Sequence, residues 1–124
     1  MSSANQETMN DSIQYLGKVL DVCATRQRVL ANNLANSNTP GYVRKDVSFR
    51  DTLASAVKSD DSEVLAAYQP QIEEDRTSAF KADGNNVSSQ KELSAISENN
   101  ILYMLATRAI GGKFQTLRKV IASK

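Results

Sequence analysis

Apolar positions in the first third of the chain recur in steps of four and three: Met9, Ile13, Leu16, Leu20, Cys23, Leu30 and Leu34, interrupted at Gln27. That period marks one face of a long helix. It predicts a helix over residues 8–36, about 43 Å long at about 1.5 Å per residue. Thr8 and Asp11 suit its start. Pro40 stops it by steering Thr39 out of the helical region. Thr39-Pro40-Gly41-Tyr42 then puts Pro and Gly at the two central positions of a type II turn. A second stripe, Leu93, Ile96, Asn100, Tyr103, Thr107, Ile110, Phe114, Leu117 and Ile121, predicts a closing helix over residues 88–122. Ser89 and Glu92 have the spacing of a capping box. Lys113, Arg118, Lys119 and Lys124 lie toward the end where a helix dipole favours cations. Gly111 and Gly112 each weaken a helix by about 1 kcal/mol relative to Ala. The apolar phase continues from Ile110 to Phe114, so both are expected inside the helix, at a bend or a close helix contact.

Residues 37–87 have a different character and read as a turn and polar connector. "SDDSE" and "IEEDR" are acidic, "YQPQ" breaks helices and "DGNN" signals a turn. Val47 and Phe49 flank Ser48 in a strand-like alternation, residues 49–57 suit a short helix, and "EVLAAYQPQI" has room for an extended segment within it. The expected fold is therefore mainly α, a single unit over residues 1–124. Its long terminal helices pair as a coiled-coil-like hairpin around a polar, partly extended or flexible middle. The expected seam joins Ile13, Leu16, Leu20, Cys23, Leu30 and Leu34 to Leu93, Ile96, Tyr103, Ile110, Phe114, Leu117 and Ile121. Two helices sharing one seam bury little apolar surface for the backbone they order. Contacts from other chains are expected to complete them.

Composition narrows the chemistry. The 124 residues suit one domain, and a net charge of +1 provides no field to steer the chain to nucleic acid or anionic lipid. There is no histidine and Cys23 is the one cysteine, which removes imidazole catalysis, the usual zinc sites and any intramolecular disulfide. No cofactor or small-molecule substrate is expected, and Cys23 reads as a packed small hydrophobe. The carboxylates Asp60, Asp61, Glu73, Glu74 and Asp75 have no visible partner base or nucleophile and read as solvated loop charge. The N-terminal "MSSANQETMNDSIQ" does not have the form of a secretory signal. The uncharged run from Ile101 to Thr107 is too short to span a bilayer.

From Val29 to Val43 there is no charged residue, yet Asn32, Asn33, Asn36 and Asn38 crowd together. Asn32 and Asn36 fall opposite the Leu30–Leu34 stripe, where a solvated helix normally carries Lys, Glu or Arg. Amides there fit either burial against another polar surface, with no charge to desolvate, or a capped helix end. A helix, a Pro-Gly turn and "YVRKDVSFR" with Arg44, Lys45 and Arg50 have some likeness to a helix-turn-helix DNA-binding unit. The neighbouring acidic residues cancel that charge.

The run "ANNLANSNTPGYVRKDVSF" resembles the signature of the bacterial flagellar rod and hook family, in which an Asn-rich stretch and T-P-G-Y/F follow the N-terminal helix. "DGNNV" at residues 83–87, followed by "NNILYMLATRAIGGKFQTLRKVI", and the short length are similar to its proximal rod members. The likeness covers about residues 8–53 and 83–122. The chain departs from it at Ser88-Ser89 and at Gly111-Gly112. The resemblance implies a structural subunit of the basal-body rod, stacked helically with copies and relatives around an export channel. It implies a periplasmic location reached through the flagellar type III export apparatus. The partners implied are other rod proteins and the rod-base adaptor. It also implies that Asn32, Asn33, Leu34, Ala35, Asn36, Thr39, Pro40, Gly41 and Tyr42 sit where subunits meet. Phe49 and Leu53 fit the Phe-x-x-x-apolar pattern read by the export gate, and equally fit one apolar face of a short helix.

Overall fold

The computed structural model describes residues 3–48 and 62–123. Phe49 and Leu53, with the short helix expected around them, lie outside the described residues. Helix α1 spans Ser3–Ala35, about 50 Å. It is helical several residues ahead of the expected start at Thr8, because no Pro or Gly interrupts the intervening sequence. Its last turn tightens: the Asn36 N–H is shared between the Asn32 and Asn33 carbonyls at 3.1 Å each, and Ser37 N–H donates to Leu34 O at 3.2 Å. The turn follows as expected. Gly41 has φ +74, and Tyr42 N–H donates to Thr39 O at 3.2 Å, the positive φ and closing bond of a type II turn.

The segment after the turn is strand β1, Lys45–Ser48, so no recognition helix follows and the helix-turn-helix likeness fails there. The extended segment expected within "EVLAAYQPQI" is found at its end, as part of strand β2, Gln71–Glu74, while "EVLAA" lies in helix α2, Ser62–Ala67. Leu and Ala favour helix, and Pro70 confines the helix to the residues before it. Strands β1 and β2 pair antiparallel, Lys45 opposite Glu74 and Val47 opposite Ile72. Val47 is buried and Ile72 exposed, so the small sheet lies with one edge against α1. Helix α3 spans Ser89–Ala122, about 51 Å, with Gly111 and Gly112 inside it. Nothing lies within 4 Å of a Cβ built on either glycine. Of the bend or close helix contact expected there, the contact is not made among the described residues of the single chain.

Helices α1 and α3 run antiparallel. Asn33 meets Glu92 at one end, and Cys23 and Gln27 meet Asn99 further along. The core gathers Val19, Val22, Cys23 and Val29 of α1 with Val47, Tyr68 and Ala106. Leu16, Leu20 and Leu102 pack against that cluster. Tyr68, just after α2, is fastened to α1 by Lys18 Nζ, which donates to its carbonyl at 3.1 Å. The molecule is thus mainly helical: two long helices joined through a middle containing a short helix and a strand pair. No described helix is long and apolar enough to cross a membrane.

Candidate functional site

Where α1 ends, the chain builds a junction from amides and ions. Asn33 is fully buried. Its Nδ2 donates to Lys45 O at 2.7 Å, while Lys45 N–H donates to Asn33 Oδ1 at 2.9 Å. One side chain thereby supplies the donor and acceptor that a neighbouring strand would supply. Tyr42 OH donates to the same Oδ1 at 3.1 Å, and Asn32 Nδ2 donates to Tyr42 OH at 3.0 Å.

The "DGNN" turn closes on the "TPGY" turn. Asn85 Nδ2 donates to Asn36 O and Thr39 O, both at 2.8 Å. Gly41 N–H donates to Asp83 O at 2.9 Å. A Cβ on Gly84 would lie 3.4 Å from the Gly41 Cα. Asn86 Oδ1 accepts from Arg44 N–H at 2.7 Å, and its Nδ2 donates to Asp75 O at 2.6 Å. Asn85 and Asn86 are both buried. Buried amides are stable only when so paired. The Asn-rich end of α1 is thus satisfied largely within the chain.

An ion network lies across the same junction. Arg44 Nε donates to Glu92 Oε1 at 2.6 Å, and its other nitrogens reach Asp75 and, at 3.3 Å, Asp46. Arg26 Nε donates to Asp46 Oδ1 at 2.9 Å. Glu92 is 1% exposed. Two guanidiniums thus tie α1, β1, the end of β2 and the start of α3. Burial opposes the Arg44 charge, but its bond to Glu92 and the surrounding carboxylates hold its pKa above the ordinary value. Burial pushes Asp46 up, and is overcome by the Arg26 bond, the Val47 N–H and the charges of both arginines, so its pKa is lowered. Asp75 is lowered chiefly by the Thr77 hydroxyl, against burial, with the Thr77 N–H and Arg44 adding to it. Burial raises the Cys23 thiol, with Arg26 pulling the other way. Cys23 is a packed, 1% exposed side chain.

Glu92 also corrects the start of α3. The N-cap is Ser88, one residue before the expected Ser89, and its hydroxyl accepts from Lys91 N–H. Glu92 does not turn back to cap the helix, because Arg44 holds it. Arg26, Asp46 and Asp75 were not recognisable as site residues from sequence, and Arg44, Asn85, Asn86 and Glu92 stood out only as motif, turn or capping residues, not as members of one network. Each draws its role from a partner far along the chain. The break in the apolar stripe at Gln27 was a usable signal, since Gln27 Oε1 accepts from Asn99 Nδ2 at 3.1 Å.

The expected seam residues have mixed placements in the single chain. On α1, Cys23 and Leu30 are buried, and Ile13, Leu16, Leu20 and Leu34 half-buried. On α3 the buried residues are Glu92, Asn99 and Ala106, one position ahead of Leu93, Asn100 and Thr107. Ile96, Ile110 and Leu117 are half-buried, whereas Leu93, Tyr103, Phe114 and Ile121 are exposed. Ile101, Met104 and Leu105 are exposed too. Apolar side chains thus surround α3 from Ile101 to Leu105, and α1 covers one side of them. Of the motif expected at subunit contacts, Asn32, Ala35, Thr39, Pro40 and Gly41 are exposed, Leu34, Asn36 and Tyr42 half-buried, and Asn33 buried.

Residues 23–42, the C-terminal part of α1 with its turn, match the family model described as flagella basal body rod protein. Across most of its length the chain is similar to curated proteins named flagellar basal body rod protein FlgB. The Bacillus subtilis protein is 31% identical, over 89% of this chain and 92% of its own length. That of Aquifex aeolicus is 31% identical over 86% and 90%, and that of Borreliella burgdorferi 28% identical over 91% and 99%.

Proposed function

The chain belongs to the FlgB family of flagellar basal body rod proteins, and from that premise we propose that it is a structural subunit of the proximal rod. It assembles helically with copies of itself and with other rod proteins, around a central channel, as part of the drive shaft. Its terminal helices form the inner tube, and the rod-base adaptor lies beneath it. It reaches the periplasm through the flagellar type III export apparatus, an export that Phe49 and Leu53 serve.

The observation that carries this reading is the apolar surface encircling α3 from Ile101 to Leu105, exposed on a helix paired along one side only. A helix apolar all round is a buried helix, and exposed apolar patches mark association surfaces. The polar junction complements it by fixing how α1 and α3 leave their common end, which a repeating assembly requires of each subunit.

The test is recovery of the chain from its own bacterium. Basal bodies purified from that cell contain the chain, and deletion of its gene leaves cells non-motile and without rods. Intact rods in the deletion strain overturn the proposal.

A further inference from the structure

Beside the seam, a groove of about 380 Å³ runs between the two long helices, lined among others by Ala24, Gln27, Arg28, Asn99 and Tyr103. Ala24 keeps one wall low and Tyr103 forms the other. Asn99 is 2% exposed. Its Nδ2 is held by Cys23 O at 2.8 Å and by Gln27, which fixes the orientation of the amide. Its Oδ1 is buried and has no hydrogen-bond partner among the described residues. The groove has a largely apolar lining and a cation, Arg28, at its rim.

The outward face of α3, turned away from the seam, carries complementary chemistry. Ile101, Met104 and Leu105 are exposed there, 54%, 45% and 55% respectively. Ser97 and Arg108 beside them are donors, and Glu98 is an exposed carboxylate. At helical spacing these share one side of the helix.

We infer that the outward α3 face of one copy of this chain docks in the α1–α3 groove of the next, laying Ile101, Met104 and Leu105 on its apolar lining and pairing Glu98 with Arg28. Groove and face are different surfaces of one molecule, so the contact is head-to-tail. It leaves a free groove at one end and a free face at the other, and repeats into an open helical array. The inference rests on the rod reading and specifies which surfaces of that subunit meet.

The test is sedimentation of the purified full-length chain at increasing concentration. Wild type associates beyond the dimer. Arg28→Glu and Glu98→Arg each oppose like charges and weaken association about tenfold or more, with helix content unchanged by circular dichroism because both positions are exposed. The double variant recovers it. An equimolar mixture of the two single variants also recovers it, in alternating order, since each variant's groove matches the other's face and neither matches its own. Ala24→Trp, which fills the groove from its exposed wall, weakens association as the charge reversals do. A wild type that stays monomeric at millimolar concentration, single variants that associate like wild type, or a double variant that does not recover would each overturn the inference. Those results leave the rod reading standing, because that reading depends on the chain's presence in basal bodies. Absence from basal bodies alongside this pattern of association would refute the rod reading and not the contact.

Discussion

Asn33 replaces a strand partner with a side chain, and its position explains why asparagine rather than a charged residue ends α1. A charge at a fully buried site needs a counter-charge, whereas the amide is satisfied by the Lys45 backbone and Tyr42. Where a charge is buried in this junction, it does have one: Glu92 faces Arg44 at 2.6 Å. Glu92→Ala leaves that guanidinium short of a partner. It should cost about 3 kcal/mol, the low end for a broken buried pair because Arg44 keeps Asp46 and Asp75. Glu92→Gln, which retains an acceptor, should cost less, and urea denaturation followed by circular dichroism reads both. Gly41 is constrained by its backbone. At φ +74 a β-branched residue is strained, so Gly41→Val should lose about 1–3 kcal/mol. Gly41→Asn should lose less, since asparagine tolerates the left-handed region. Equal losses from Val and Asn would show that bulk, not φ, is limiting at this turn. Nothing lies within 4 Å of a Cβ at Gly41, which argues against bulk.

The elements were unevenly legible in the sequence. Helix α1 was readable because its covered side is apolar, with Val22, Cys23, Val29 and Leu30 all buried. The turn was readable because Pro and Gly have strong local preferences. Helix α3 was readable as a helix, but the side it turns to α1 was not. Apolarity points to Leu93, Tyr103 and Phe114, while α1 covers Glu92, Asn99 and Ala106. In a subunit built to associate, hydrophobicity reports every surface that becomes buried, not the intramolecular one alone. Strand β2 was hidden for a related reason: its residues are all exposed, so "QIEE" shows no pattern. A pair of substitutions reads the phase of α3 directly. Ala106 is 4% exposed, so Ala106→Phe should overpack the core and cost about 1–3 kcal/mol. Thr107→Phe, one residue on and exposed, should stay within about 0.5 kcal/mol of wild type. The reverse order of melting temperatures would restore the phase drawn from apolarity.

On the scale of the whole molecule, stability is concentrated at the junction. Among the residues whose side chains are described, the fully covered ones of α1 lie between Val19 and Asn33, and those of α3 between Glu92 and Ala106. The second half of α3, by contrast, shows mostly exposed residues. Local opening costs least where few apolar contacts must break. Amide exchange in the monomer should therefore be slowest at 19–35, 44–48 and 85–106, and within α3 fastest along 107–122. Acid should reduce that protection from the junction outward, and the sign follows from its two aspartates. Asp46 and Asp75 both have lowered pKa values in the folded chain. The unfolded chain therefore binds protons first as pH falls. Their contribution is complete above the ordinary aspartate range near pH 4, and is lost as pH drops through the lower folded values. With no histidine in the chain, no imidazole titrates between pH 5 and 8. The melting temperature should be level over that interval and fall below about pH 4. Asp46→Asn should flatten the acid limb, because it removes one of the groups whose protonation drives the fall. It should also lower stability at pH 7, where Arg26 and Arg44 lose a charged partner. Melting curves of wild type and Asp46→Asn from pH 2.5 to 8 decide it: parallel acid limbs would mean that the ion network is not what holds the junction together.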